Sequence, residues 1–298
     1  MKIAMVTTWA VRCGIFTYSR NLSNALAKLG HEVYIIRIPR FGKKSPQVFF
    51  NAVEGIPPEV DLVHVQHEYG LLQTLEMPFY QALRQNANKP VVTTMHSIGN
   101  WEVDGIIGTN SDALIVHNEA CLSRSMFPEK TTIVQHGAQP ATPAPSRESK
   151  QSLGIHPDTP VVGYVGFISP QKGLETLIEA MALVPKAGLL IGGGYFTESG
   201  QTEYMTRLKA GSFEVLPKRV HWFGYVSDED LARVYGAIDL VVYPSRVTSE
   251  SGALLMALSH GKAVIASNLA PFREKERLGA LQTFKDADDL AQRITLLL

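Results

Sequence analysis

The chain alternates short apolar runs rich in Val and Ile with longer stretches in which apolar residues recur every three or four positions. The first half carries the runs "KIAMVTT", "EVYIIRI", "DLVHVQH", "PVVTTMH", "ALIVHN" and "TTIVQH". The second half carries "PVVGYVG", "GLLIGG", "VHWFG", "DLVVYPS" and "AVIAS". Few of these alternate apolar and polar positions, so they predict strands covered on both faces, as in parallel sheets. Several of the stretches between them predict helices. "GIFTYSRNLSNALAKLG" puts Ile15, Tyr18, Leu22, Ala25, Leu26 and Leu29 on one face, and Gly30 stops it. "SPQKGLETLIEAMALV" opens on Ser169-Pro170, a helix-start signal, and puts Leu174, Leu177, Ile178 and Met181 on one stripe. The expected fold class is α/β.

Between the halves lies "GAQPATPAPSRESK", rich in Pro, Ala and Ser and almost without large apolar residues. That is the composition of a linker. It divides the chain into an expected first domain over 1–140, a linker over 141–151 and a second domain over 152–298. Two α/β domains joined in this way enclose a cleft, and open parallel sheets bind ligands at the carboxyl ends of their strands. The last residues, "DADDLAQRITLLL", read as the middle of a helix without a cap, so the second domain is expected to be truncated at its C-terminus.

Composition narrows the function classes. With 298 residues, 45% hydrophobic and 19% charged, the chain can bury a core in one large domain or two moderate ones. Lys and Arg (28) balance Asp and Glu (28), so no global charge favours nucleic acid or an anionic membrane. Two cysteines, Cys13 and Cys121, make no disulfide framework and fit a reducing, cytoplasmic setting. The apolar run at the N-terminus breaks at Thr7-Thr8, too soon for a signal peptide, and no stretch nears the ~18 apolar residues of a membrane span. Association with a membrane surface stays compatible with this reading.

Chemistry-bearing residues gather at the predicted strand ends. Gly14 opens a helix in "TTWAVRCGIF", where helix amides attract anions and Gly lets a ligand approach the backbone. Alone, that loop is equally an ordinary strand-to-helix turn, and Cys13 beside it reads as a bystander. His67, His96, His117 and His136 fall at strand ends, with polar atoms densest at His67-Glu68 and His96. A metal site would need four strands to converge, and no carboxylate pairing marks one, so none is expected. In the second half Gly166 ends a strand and Lys172-Gly173 precedes a helix, where Lys suits a phosphate; taken alone, the segment reads rather as a strand-to-helix loop with a solvated Lys. Glu250 follows "LVVYPS", and Ser251, Gly252 and Ala253 start the helix "ALLMALSH", whose first amides suit a diphosphate. Asp228-Glu229-Asp230 and Asp286-Ala287-Asp288 read as helix caps and first-turn acids rather than metal ligands.

Taken in order, these stretches make the chain resemble the GT-B glycosyltransferases, and within them the retaining family four, or glycosyltransferase group 1, enzymes. The segments that carry the resemblance are "RCGIFTYSRNLSNALAKLGHEV", "VHVQHEYG", "VVTTMHSI", "IVQHGA", "VGYVGFISPQKGLETLIEAM", "VHWFGYVSDEDLARVYGAIDLVVYPS" and "ESGALLMALSHGKAVIAS". The resemblance implies two Rossmann-like domains facing a cleft. It implies a nucleotide-diphosphate sugar held mainly by the second domain, and a glycan, lipid or small-molecule acceptor on the first. It also implies transfer of a mannose- or glucose-type hexose with retention, and no cofactor or obligatory metal. Lys172 then matches the diphosphate-binding lysine, Gly14 the glycine loop near the phosphates, and His96 a histidine contacting the transferred sugar. Glu250 matches the first of the family's paired glutamates, Tyr225 and Val226 the segment beside the base, and His67 and Glu68 fall on the acceptor side.

Several departures qualify that match. Aligned on Gly261-Lys262, the second glutamate of the pair, which holds the ribose in the family, falls on Met256, and Met accepts no strong hydrogen bond. The same alignment puts Thr248 where the first glutamate stands, two residues before Glu250, and Phe167 where the family often has a phosphate-binding Arg. Such changes keep open a catalytically degenerate module that binds a glycan or a partner. A nucleotide-sugar epimerase or a phosphorylase of the same fold is the third alternative. The family's closing C-terminal helix is missing, which implies a fragment or a compact variant.

Overall fold

The computed structural model describes residues 1–39, 45–194 and 201–298. The chain divides into two units, Met1–Gly137 and Ala138–Leu298. The first runs β1 (Lys2–Thr7), α1 (Gly14–Lys28), β2 (Glu32–Arg37), α2 (Pro46–Glu54), β3 (Leu62–His67), α3 (Tyr69–Leu72), α4 (Glu76–Ala82), β4 (Val91–Met95), α5 (Trp101–Asn110), β5 (Ala113–Val116), α6 (Glu119–Leu122) and β6 (Thr131–Ile133). The second runs α7 (Ser146–Ser152), β7 (Val161–Val165), α8 (Leu174–Ala182), β8 (Gly188–Gly192), α9 (Gln201–Val215), β9 (Val220–Gly224), α10 (Leu231–Ala237), β10 (Leu240–Tyr243), α11 (Gly252–Ser259), β11 (Ala263–Ser267), α12 (Ala270–Arg277), β12 (Gln282–Phe284) and α13 (Ala287–Leu297).

Each unit is built on one six-stranded sheet, ordered β2-β1-β3-β4-β5-β6 in the first and β12-β11-β10-β7-β8-β9 in the second. Every pairing is parallel. In the second sheet β7, β8 and β9 step outward to one side, and β10, β11 and β12 to the other. The chain therefore reverses direction between β7 and β10, and the loops leaving those two strands part to opposite faces and open a crevice. In the first sheet the reversal falls between β1 and β3. Burial follows the order: β7, β8 and β10 are buried at every position, whereas the edge strand β6 buries none.

Three aspartates fix the sheets by one device. Asp61 accepts from the Lys2 amide at 2.7 Å while its own amide donates to the Lys2 carbonyl at 2.7 Å. Asp112 brackets Val91 in the same way, at 2.7 Å and 2.7 Å. Asp239 brackets Val161 at 2.7 Å and 2.8 Å. Each aspartate precedes a strand and satisfies the first backbone groups of the parallel neighbour, which would otherwise lack partners. The sequence shows this as an Asp just before an apolar run.

Several expectations change in detail. The buried residues of α1 are Ser19 and Ser23, while Ala25 and Leu29 of the expected stripe are exposed. Ser19 Oγ lies 2.6 Å from Thr7 Oγ1, so α1 approaches β1 on its small side chains and rotates the leucines partly outward. Helix α8 starts at Leu174, not at Ser169-Pro170, because a 3-10 turn over Pro170–Lys172 comes first and Gly173 has φ +62°. Part of the expected linker is helix α7, whose Lys150 Nζ bonds Asp239 at 2.7 Å and the Thr159 carbonyl at 3.0 Å. Strand β12, a three-residue segment, was not expected at all. Before α10 the hydroxyl of Ser227 accepts from the Asp230 amide, and the Asp230 carboxylate turns to Arg233 instead of capping. Asp286 does cap α13, accepting from the Asp289 amide at 2.9 Å.

Candidate functional site

The reversal in the second sheet brings together two loops that lie about 80 residues apart in sequence. The loop after β7 carries Gly166 and Lys172, and the loop after β10 carries Glu250 and leads into α11. They are stitched by the Arg246 amide, which donates to the Gln171 carbonyl at 2.8 Å. A Cβ on Gly173 would strike the Pro244 carbonyl oxygen, so only glycine fits this crossing. A Cβ on Gly166 would sit 3.5 Å from the Ala253 Cβ, which places the end of β7 against the first turn of α11. Tyr243, buried at the end of β10, adds a tether: its hydroxyl lies 2.7 Å from the Ala253 carbonyl oxygen and 3.1 Å from that of Val165.

Lys172 is half-buried, and burial holds its ammonium below the ordinary lysine value. Among the described residues no carboxylate or carbonyl partners that ammonium. A cation in a low-dielectric setting without a partner costs free energy, which an anion would recover. The start of α11 is the second positive element. Ser251 caps it, accepting from the Leu254 amide at 3.2 Å, and the amides of Gly252 and Ala253 have no acceptor among the described residues. Free first-turn amides carry the positive end of the helix dipole. Both elements stand at the carboxyl edge of the second sheet, in the adjoining loops after β7 and β10.

Glu250 is more engaged than expected. One carboxylate oxygen accepts from the Ser251 amide at 2.8 Å, and the other from Lys275 Nζ at 2.7 Å. The pair is nearly closed to solvent, with side chains 5% exposed for Glu250 and 14% for Lys275. Thr248 donates to the Glu250 carbonyl at 2.7 Å and so helps fold the turn. Met256, one turn into α11, is half-buried against the core, with Ser259 Oγ 3.8 Å from its sulfur. On the other side of β7, glycines line the ends of β8 and β9: the Gly193 amide donates to Gly224 at 2.6 Å and the Gly166 amide to Gly192 at 2.9 Å. Tyr225 is 46% exposed just beyond them, while a Cβ on Gly192 would lie 2.8 Å from Val226. Gly166, Lys172, Tyr225, Val226, Ser251, Gly252 and Ala253 thus all belong to the carboxyl edge of one sheet.

The first unit places its candidates on the carboxyl edge of the other sheet. A Cβ on Gly14 would meet nothing within 4 Å, so packing does not demand glycine there. Cys13 is buried as the cap of α1; its sulfur lies 3.4 Å from the Phe16 amide and 3.3 Å from Thr8 Oγ1. His96, His117 and His136 gather around Tyr18, whose ring centroid is 4.6, 5.3 and 4.9 Å from theirs. His96 Nε2 is 3.0 Å from Gln66 Oε1 and its Nδ1 is 3.4 Å from His117 Nε2. Burial, followed by His117, His136, His67 and His64, pushes the His96 imidazole well below its ordinary value, so it is neutral at neutral pH. His67 departs from the acceptor-side expectation: it is 1% exposed and faces Glu76 at 3.4 Å inside the core. Glu68 caps α3, accepting from the Gly70 amide at 3.1 Å. Among the described residues no cluster of His, Cys, Asp and Glu has the arrangement of a metal site. No described helix is long and apolar enough to cross a membrane.

Sequence reading missed three contributors. Lys275 sits in a charged helix with no motif around it, Arg246 binds through its backbone, and Tyr243 looks like an ordinary strand residue.

Comparison with known proteins places this architecture. A D-inositol 3-phosphate glycosyltransferase of Mycobacterium sp. (strain JLS) is 31% identical over 198 residues, 63% of this chain and 45% of that relative. The chain thus spans about half the length of the curated relatives it matches. A sucrose-phosphate synthase from Thermosynechococcus elongatus superimposes with a TM-score of 0.81 at 23% identity, covering 99% of this chain and 90% of that one. Anabaena HepE, solved in complex with UDP and glucose, gives a TM-score of 0.79 at 20% identity, covering 99% and 89%. These structures share the GT-B fold that the resemblance implied. The model of the family "Glycosyl transferases group 1" matches residues 145–298, and the chain belongs to that family.

Proposed function

We propose that the protein transfers a hexose of the mannose or glucose type from a nucleotide-diphosphate sugar to an acceptor hydroxyl, with retention. The observation that carries the reading is the half-buried Lys172 ammonium, without a carboxylate or carbonyl partner among the described residues, on the same sheet edge as the first amides of α11, Gly252 and Ala253. A diphosphate supplies the charge and the acceptor oxygens that both elements lack. As the leaving group departs, its developing charge falls on the same donors, so electrostatic stabilisation comes from the protein without an obligatory metal. Gly166 lets the donor approach the end of β7, and the glycine-lined edge before Tyr225 and Val226 offers backbone groups and a flat ring to the base. HepE, a structural neighbour, binds UDP, which makes a uridine diphosphate donor the first to test. Acceptor binding falls to the first unit; Gly14, in open space, and neutral His96 keep the roles the resemblance implied, beside the donor phosphates and at the transferred sugar.

A second reading, a module that binds without transferring, is favoured by one observation: both carboxylate oxygens of Glu250 are already engaged, by Ser251 and Lys275. The two are separated by calorimetric titration with UDP, ADP and GDP, followed by mass-spectrometric product analysis with a donor library and a mixed acceptor pool. Transfer that is lost in Glu250→Gln supports the enzyme. Binding without any product supports the module. No binding of any diphosphate at millimolar concentration removes both.

A further inference from the structure

The Glu250–Lys275 pair raises a question that the donor reading leaves open. A carboxylate immediately before α11 stands next to the amides that are to receive a diphosphate, and unpaired it would repel that anion and compete for those amides. Instead it is neutralised. Lys275 reaches it from α12, which follows β11, the neighbour of β10 in the sheet. The contact is 2.7 Å, and both side chains are withdrawn from solvent. The second Glu250 oxygen is held at 2.8 Å by the Ser251 amide, and Thr248 fixes the Glu250 carbonyl at 2.7 Å. The carboxylate is thereby turned onto the amide at the cap position. The next two amides, Gly252 and Ala253, have no acceptor among the described residues. Screening of a withdrawn pair by salt is weak, so its neutrality matters to any charge nearby.

We infer that Lys275 is a positioning residue for donor binding: by pairing with Glu250 it cancels the negative charge at the start of α11 and pins the turn that presents Gly252 and Ala253 to the diphosphate. The inference rests on the donor site proposed above. It adds a residue that touches neither nucleotide nor sugar and acts through Glu250.

The test is calorimetric titration of the full chain with whichever of UDP, ADP and GDP binds the unaltered protein. Lys275→Met is expected to lower affinity at least about tenfold, the size expected of a like charge left close to a partly buried anion. Lys275→Arg keeps the charge and stays within roughly threefold of the unaltered protein. The double variant Glu250→Gln/Lys275→Met removes both charges and regains most of the lost affinity. A purely structural role would not produce that recovery, because the double variant restores neutrality and not the ion pair. Should Lys275→Met fail to fold, Lys275→Gln replaces it, since its amide still donates to Glu250 without neutralising it. Unchanged affinity in the single variant, or a double variant no better than the single one, overturns the inference while the donor site stands. Absence of binding in the unaltered protein overturns both.

Discussion

The amide of Arg246 donates to the carbonyl of Gln171 at 2.8 Å, joining the loop after β10 to the loop after β7. This bond spans the point where the strand order of the second sheet reverses. Beside it the chain makes a close crossing at Gly173, flanked by Lys172 on one loop and followed by the first turn of α11 on the other.

The crossing itself can be tested. Gly173 has φ +62°, and a side chain there would meet the Pro244 carbonyl oxygen and approach the Arg246 Cγ at 3.4 Å. Gly173→Ala combines left-handed strain of roughly 1–2 kcal/mol with that collision, so it lowers stability by more than about 1 kcal/mol. Urea denaturation reads the loss, and a nucleotide titration reads the displacement of the Lys172 loop. An unchanged midpoint would remove the claim that the two loops interlock here.

Lys172→Met should separate binding from stability. Loss of charge-assisted hydrogen bonds to a diphosphate weakens binding by roughly 1.5–3 kcal/mol. Stability moves the other way. Burial holds the Lys172 ammonium below its ordinary value in the folded state, so between the folded and unfolded pKa values the unfolded chain binds the extra proton. Folding stability therefore rises with pH through that window, up to the ordinary lysine pKa near 10.4, and the variant lacks this rise. At neutral pH the variant melts no lower than the parent. A variant that melts clearly lower while retaining nucleotide affinity contradicts the assignment.

The aspartate brackets carry a third prediction. Asp239→Ala deprives the Val161 amide of its acceptor and leaves the buried Lys150 ammonium only the Thr159 carbonyl, which should cost roughly 2–3 kcal/mol. Asp112→Ala acts on the first unit through pH. Burial alone would raise the Asp112 carboxyl, but the Val91 amide and Arg84 outweigh it and hold it below its ordinary value. Its contribution is present above the ordinary Asp value near 4 and is lost as pH falls through the lowered one. Acid titration of Asp112→Ala should show less loss of stability below about pH 4 than the parent. Identical acid curves would count against the bracket.

The sequence by itself determined most of the strands and placed Lys172 and residues 251–253 in the loops that follow them. Eleven apolar runs with little alternation became eleven parallel strands, the central β7, β8 and β10 buried at every position, because a strand covered on both faces has no polar side to show. Lys172, Ser251, Gly252 and Ala253 were legible for the same local reason: lysine before a helix and free amides at a helix start are properties of short segments. β12 was not legible, since three residues give no period to read, and the burial of Ser19 and Ser23 rather than the leucines of α1 depended on how closely the helix sits on β1. Only the tertiary structure decided the pairing order, and with it which loops are neighbours. That order put Gln171 beside Arg246, Lys275 against Glu250 across 25 residues of chain, and Tyr18 among three histidines that follow three different strands. Such contacts follow from the hydrogen bonding of whole strands, which local patterning of apolar residues does not encode.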